Sequence, residues 1–125
     1  MHIHPEKQPT RVLILEDLPS DARLAEREVA KAIDPVEFLC VETKEDYLKA
    51  LEEFEPDLII SDYQMPAFDG LSALKIALKT TPTTPFIIHT GSQNEDTAVA
   101  CMKAGATDYV LKERIKRLGQ AAKRA

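Results

Sequence analysis

Four short stretches of this chain end on residues that can do chemistry. "LILED" stops at Glu16 and Asp17, "LIISDYQMPAFDG" runs into Asp62, "FIIHTGS" reaches Thr90, and "DYVLK" closes on Lys112. Carboxylates held close together repel one another and raise at least one pKa. A hard divalent cation relieves that repulsion, and Mg2+ favours one or two carboxylates, retained waters and phosphate oxygens. Thr90 offers an O–H and Lys112 three N–H groups to phosphoryl oxygens. The residue types therefore suit phosphoryl transfer onto a carboxylate, with a metal and an ammonium neutralising the developing charge.

Such a set works only if the fold brings its members to one place. Five apolar runs read as strands: 11–15, 38–43, 57–61, 86–90 and 108–112. Their near-continuous hydrophobicity suits a parallel sheet covered on both faces. Helical periods lie between them. Ala22, Ala25, Val29 and Ile33 form one stripe; Tyr47, Leu51 and Phe54 a second, with Leu48 beside it; Leu71, Leu74 and Leu78 a third. "NEDTAVACMKAGA" predicts a fourth helix stopped by Gly105, and Ile115, Leu118 and Ala122 mark a fifth. Thr43 is placed to cap the second helix with Asp46 at its third position, and Ser92 with Glu95 fits a capping box for the fourth. Asp69-Gly70 reads as a turn and helix start. Gly119 should weaken the last helix by about 1 kcal/mol relative to Ala.

Five βα units in sequence predict a doubly wound α/β fold, because right-handed crossovers place helices on both faces of the sheet. Ligands of such sheets bind beyond the C-terminal strand ends, which is where all five singled-out residues fall.

Composition narrows the field. The 125 residues fit one domain, and 44% hydrophobic with 30% charged residues is ordinary for a globular protein. A net charge of −5 argues against direct nucleic-acid binding. No apolar run approaches a membrane span, and "MHIHPEKQPT" has no secretory h-region. It reads as a flexible leader over 1–10, ahead of a domain over 11–125. Cys40 and Cys101 form no CxxC and are expected to be buried thiols in a reducing cytoplasm. His89, inside a strand, is expected to be packed, and His2 and His4 lack specific metal-ligand spacing.

Over 11–125 the chain resembles the receiver domains of two-component response regulators. The matching motifs are the acidic pair of "LILED", the acceptor in "LIISDYQMPAFDG", the hydroxyl in "IIHTGS" and "GATDYVLK". The resemblance implies a flavodoxin-like five-stranded parallel sheet in the order 2-1-3-4-5. It implies that Asp62 accepts a phosphoryl group from a histidine kinase or a histidine phosphotransfer protein. Glu16, Asp17, Asp62 and the backbone carbonyl of Gln64 would hold Mg2+, and Thr90 and Lys112 would bind the phosphoryl oxygens. Thr90 and Tyr109 would form the switch that alters an interaction surface. The implied output is a downstream effector protein or a fused domain, with a phosphorylation-dependent homodimer as a further partner state. No external substrate is implied, so the module is not expected to be an enzyme.

Two departures stand out. Glu113 follows Lys112 where the family usually has Pro, which predicts a different course for the loop after the fifth strand. The first acid is Glu16 rather than Asp, which keeps the charge on a longer arm. Two other chemistries fit less well. An aspartate-nucleophile phosphatase wants a second acid at position 64, where Gln64 stands. A flavin carrier wants a Ser/Thr/Gly-rich phosphate loop where "EDLPSD" stands.

Overall fold

The computed structural model describes residues 8–91 and 95–125. Strands and helices alternate: β1 (Thr10–Leu15), α1 (Pro19–Ala32), β2 (Val36–Val41), α2 (Lys44–Glu53), β3 (Leu58–Ser61), α3 (Gly70–Thr80), β4 (Phe86–Thr90), α4 (Glu95–Ala104), β5 (Asp108–Leu111) and α5 (Lys116–Arg124). All strand pairs are parallel and the order is β2-β1-β3-β4-β5. The predicted α/β architecture is thus the observed one. β1 begins at Thr10, one residue before the predicted domain start, and residues 1–7 of the expected leader lie outside the described residues.

Alternation along the strands builds a core on each face of the sheet. Leu13, Leu15, Ile59, Phe86 and Ile88 point to one face and pack with Tyr47, Leu51, Ala73, Leu74 and Cys101 from α2, α3 and α4. Val12, Ile14, Ile60, Ile87 and Val110 point to the other and meet Ala22, Ala25 and Val29 of α1 and Leu118, Ala121 and Ala122 of α5. Each fully buried branched side chain here contributes roughly 1.5–3 kcal/mol relative to exposure.

The helix ends follow their predicted chemistry. Thr43 Oγ1 accepts from the Asp46 N–H at 3.1 Å, and Asp69 Oδ1 from the Ser72 N–H at 2.8 Å. Gly105 takes φ 117° at the end of α4, a region closed to most side chains. The Ser92–Glu95 capping box lies outside the described residues.

Several expectations are corrected. Leu48 and Leu78 are exposed; of the 71/74/78 stripe Leu74 is buried and Leu71 partly buried against the core, and Ala73 and Ala77 complete the inward face of α3. β2 is an edge strand with mixed exposure, so the reading of every strand as doubly covered fails there, and Cys40 on it is exposed rather than buried. Cys101 is buried as expected. After β5 the chain makes a 3-10 turn over Lys112–Arg114, with no cis bond at Glu113.

Gly119 also reads differently. A Cβ there would stand 2.9 Å from the Glu28 carbonyl oxygen and 3.4 Å from the Ala32 Cβ, because α1 and α5 cross closely. Gly119→Ala should gain about 1 kcal/mol in helix propensity but lose about 1–3 kcal/mol to overpacking against backbone. The expected result is net destabilisation, read as a lower urea midpoint. A raised midpoint would mean that the helix pair yields.

Candidate phosphoacceptor and metal site

The C-terminal edge of the sheet assembles the site. The Asp62 N–H donates to the Leu15 carbonyl at 2.9 Å and the Glu16 N–H to the Val41 carbonyl at 3.0 Å, so both acids hang directly from the strand ladder. Pro19 occupies the first turn of α1, where a missing N–H costs nothing. That early start turns the chain away immediately after the acidic pair.

Gly70 supplies the other half of the positioning. Its N–H donates to the Tyr63 carbonyl at 2.9 Å, closing the loop that follows Asp62. A Cβ at this position would stand 2.5 Å from the Asp62 carbonyl oxygen and 2.9 Å from the Tyr63 Cα. Only glycine lets the start of α3 lie against the backbone of Asp62 and Tyr63. Asp69-Gly70 is therefore a helix start, as predicted, and also a spacer for the site.

The ammonium of Lys112 is the hub. Its Nζ lies 2.9 Å from Asp62 Oδ2, 2.8 Å from Glu16 Oε1 and 2.7 Å from Asp21 Oδ2. Burial lowers the Lys112 pKa, but the hydrogen bonds to Asp21, Glu16 and Asp62 outweigh it and the net shift is upward. Glu16 and Asp62 are buried, and Asp17 is half-buried. Burial pushes the Glu16 carboxyl up to about 7; the Asp62 charge adds to this, while Lys112 and the Leu18 N–H oppose it. The expected carboxylate with a raised pKa is thus Glu16, and burial outweighs repulsion as the cause.

Glu16, Asp17 and Asp62 each offer a carboxylate oxygen, all within 4.8 Å of one another. An all-oxygen, anionic donor set of this span suits a hard divalent cation. Asp17 lines two solvent-open grooves of about 400 and 320 Å³, which give a cation access. Gln64 is exposed, and its N–H donates to Asp62 Oδ1 at 3.3 Å.

Thr90 and Tyr109 stand on the neighbouring strands. Ser61 pairs with Ile88, so Thr90 ends β4 beside the Asp62 end of β3. Thr90 is buried; Tyr109, opposite Ile88 on β5, is partly buried against the α2–α4 face. Burial raises the Tyr109 pKa.

Two features were not legible in advance. Asp21 was not singled out, since an acid in a first helical turn reads as a dipole charge; its partner lies 91 residues away. His89 is packed as expected, but its Nε2 has no hydrogen-bond partner among the described residues. Burial and the Lys112 charge lower its pKa to about 4, against the opposing pull of Asp62 and Asp21. Among the described residues no helix is long and apolar enough to cross a membrane.

Known proteins resemble this chain in sequence and in fold. The family model for the response regulator receiver domain matches residues 12–123. The DNA-binding transcriptional regulator NtrC of Proteus hauseri is 44% identical over 84 residues, covering 66% of this chain and 18% of that protein. The chain thus spans less than a fifth of that relative's length. A structure described as a response regulator from Chloroflexus aurantiacus superposes with a TM-score of 0.83 at 26% identity, covering 94% of this chain and 97% of the other. The Mn(2+)-bound form of the response regulator Rcp1 gives 0.73 at 25% identity, over 93% and 91% of the two chains.

Proposed function

Because the chain belongs to the response regulator receiver domain family, we propose that it is a phosphoacceptor module of a two-component relay, with Asp62 as the acceptor. The phosphoryl donor is a phosphohistidine on a histidine kinase or a histidine phosphotransfer protein. One observation carries the reading: Lys112 Nζ lies 2.9 Å from Asp62 Oδ2 while Glu16 and Asp17 close the other side.

In the transfer an Asp62 carboxylate oxygen bonds to phosphorus as the P–N bond of the donor breaks. The bonding pair leaves with the imidazole nitrogen. Asp62 needs no base, since its ionised form is already the nucleophile. Lys112 and Thr90 hold phosphoryl oxygens through N–H and O–H donors, and the ladder bond to Leu15 fixes the acceptor's backbone. Glu16, Asp17, Asp62 and the Gln64 carbonyl would hold Mg2+, which supplies charge neutralisation at the phosphoryl oxygens when bound. That the similar response regulator Rcp1 has a Mn(2+)-bound form supports divalent-cation binding by this chain, and the acidic cluster is the site we assign to it.

The chemistry falls on the protein's own side chain, so the module is not an enzyme toward an external substrate. Thr90 and Tyr109 couple occupancy of the site to the surface around α4 and β5. The output is a fused domain, as the length of NtrC suggests, or a separate effector reached by docking or homodimerisation. The module works in the cytoplasm, and its charge of −5 leaves nucleic-acid contact to such an output partner.

Incubation with acetyl phosphate and Mg2+ should add one phosphoryl group by intact mass, and Asp62→Asn should show none. Labelling of Asp62→Asn to the wild-type level would refute the assignment.

A further inference from the structure

The proposed chemistry leaves one short contact unexplained. Asp21 Oδ2 lies 2.7 Å from Lys112 Nζ, the shortest of that ammonium's three ion pairs. Asp21 comes from the first turn of α1, and its side chain is only 27% exposed. Beside this pair lies a cavity of about 80 Å³ lined by Asp21, Leu24, His89, Lys112 and Ile115. Lys112 therefore has a partner on α1 and borders a cavity beside it.

Resting on the receiver reading above, we infer that Asp21 is a positioning residue that competes with the phosphoryl group for the Lys112 ammonium. A phosphoryl group on Asp62 brings about two negative charges to a site that already holds Glu16 and Asp17. Lys112 is the only cation paired there among the described residues. Each share of its three N–H groups given to Asp21 is withheld from phosphoryl oxygens. The residue thus weakens the site's hold on the phosphoryl group, and with it the persistence of the switched state.

Binding of beryllofluoride, a phosphoryl mimic, tests this at saturating Mg2+ so that altered metal affinity does not enter. Asp21→Asn should bind beryllofluoride roughly three- to tenfold more tightly than wild type, because loss of the ion pair releases one Lys112 donor. Asp21→Glu, which restores the charge, should return affinity to near wild type. Glu37→Gln, which removes the same charge from an exposed position on β2, should leave it unchanged. In a Lys112→Ala background most of the Asp21→Asn effect should vanish, since the competition acts through that ammonium. Equal or weaker binding by Asp21→Asn, or an effect that survives intact without Lys112, would overturn the inference alone. A wild-type protein that binds no beryllofluoride would overturn the receiver reading together with it.

Discussion

Gly70→Ala should cost the fold about 3 kcal/mol and impair labelling of Asp62 as well. The methyl group would stand 2.5 Å from the Asp62 carbonyl oxygen and 2.9 Å from the Tyr63 Cα. Both obstacles are backbone, so no rotamer change relieves them, and overpacking of this kind reaches the upper end of its usual range. For a domain of this size the melting temperature should fall by roughly 10 °C. The acceptor's backbone must shift to admit the methyl group, so labelling by acetyl phosphate should slow even below the melting range. Gly91→Ala is the matched comparison, because a Cβ there meets nothing within 4 Å. Thermal melts and labelling rates of the two variants, side by side, decide the matter. A Gly70→Ala protein that melts with Gly91→Ala would show that the start of α3 is free to retreat.

Glu16 and His89 should pull stability in opposite directions over one pH window. Glu16 rises from 4.5 to about 7 on folding, first through burial and then through the Asp62 charge. A raised carboxyl contributes stability that is full below 4.5 and is lost as pH rises through 7. His89 falls from 6.5 to about 4, first through burial and then through Lys112. A depressed histidine contributes stability that is full above 6.5 and is lost as pH falls through 4. Each shift corresponds to up to about 3 kcal/mol, so the two nearly cancel between pH 4.5 and 6.5. Removing either should expose the other. Relative to wild type, His89→Leu should gain stability on acidification through that window, and Glu16→Gln should lose it. Denaturant melts in EDTA across pH 4–7.5 give the difference curves. Two variants with the same sign of slope would mean that one of these groups keeps its ordinary titration.

The legible part of the molecule is the part written in local patterns. Apolar runs located all five strands, and Thr43, Asp69 and Gly105 marked helix ends through contacts within a few residues. The site was legible because strand ends in this architecture share one edge, so Glu16, Asp17, Asp62, Thr90 and Lys112 could be grouped without coordinates. What escaped depends on contacts between distant segments. Nothing near Asp21 announces Lys112, and nothing near Gly119 announces the Glu28 carbonyl. Leu48 and Leu78 fit a helical period yet are exposed, because α2 turns Tyr47, Ala50 and Leu51 inward and α3 turns Ala73, Leu74 and Ala77 inward. Cys40 was misread because the apolar run of β2 does not reveal that it forms an edge.

Asp62 and Glu16 are tied by their backbone amides to the carbonyls of neighbouring strands. For the proposed acceptor, a backbone fixed in this way has little conformational entropy left to lose on docking, so less of the binding energy is spent on ordering that backbone. In the proposed relay the burden of fit falls on the donor, whose phosphohistidine must reach a carboxylate carried on a tied backbone. Productive encounters are governed by the shape and approach angle of that partner, and a mismatched donor gains little from waiting for the acceptor to adapt.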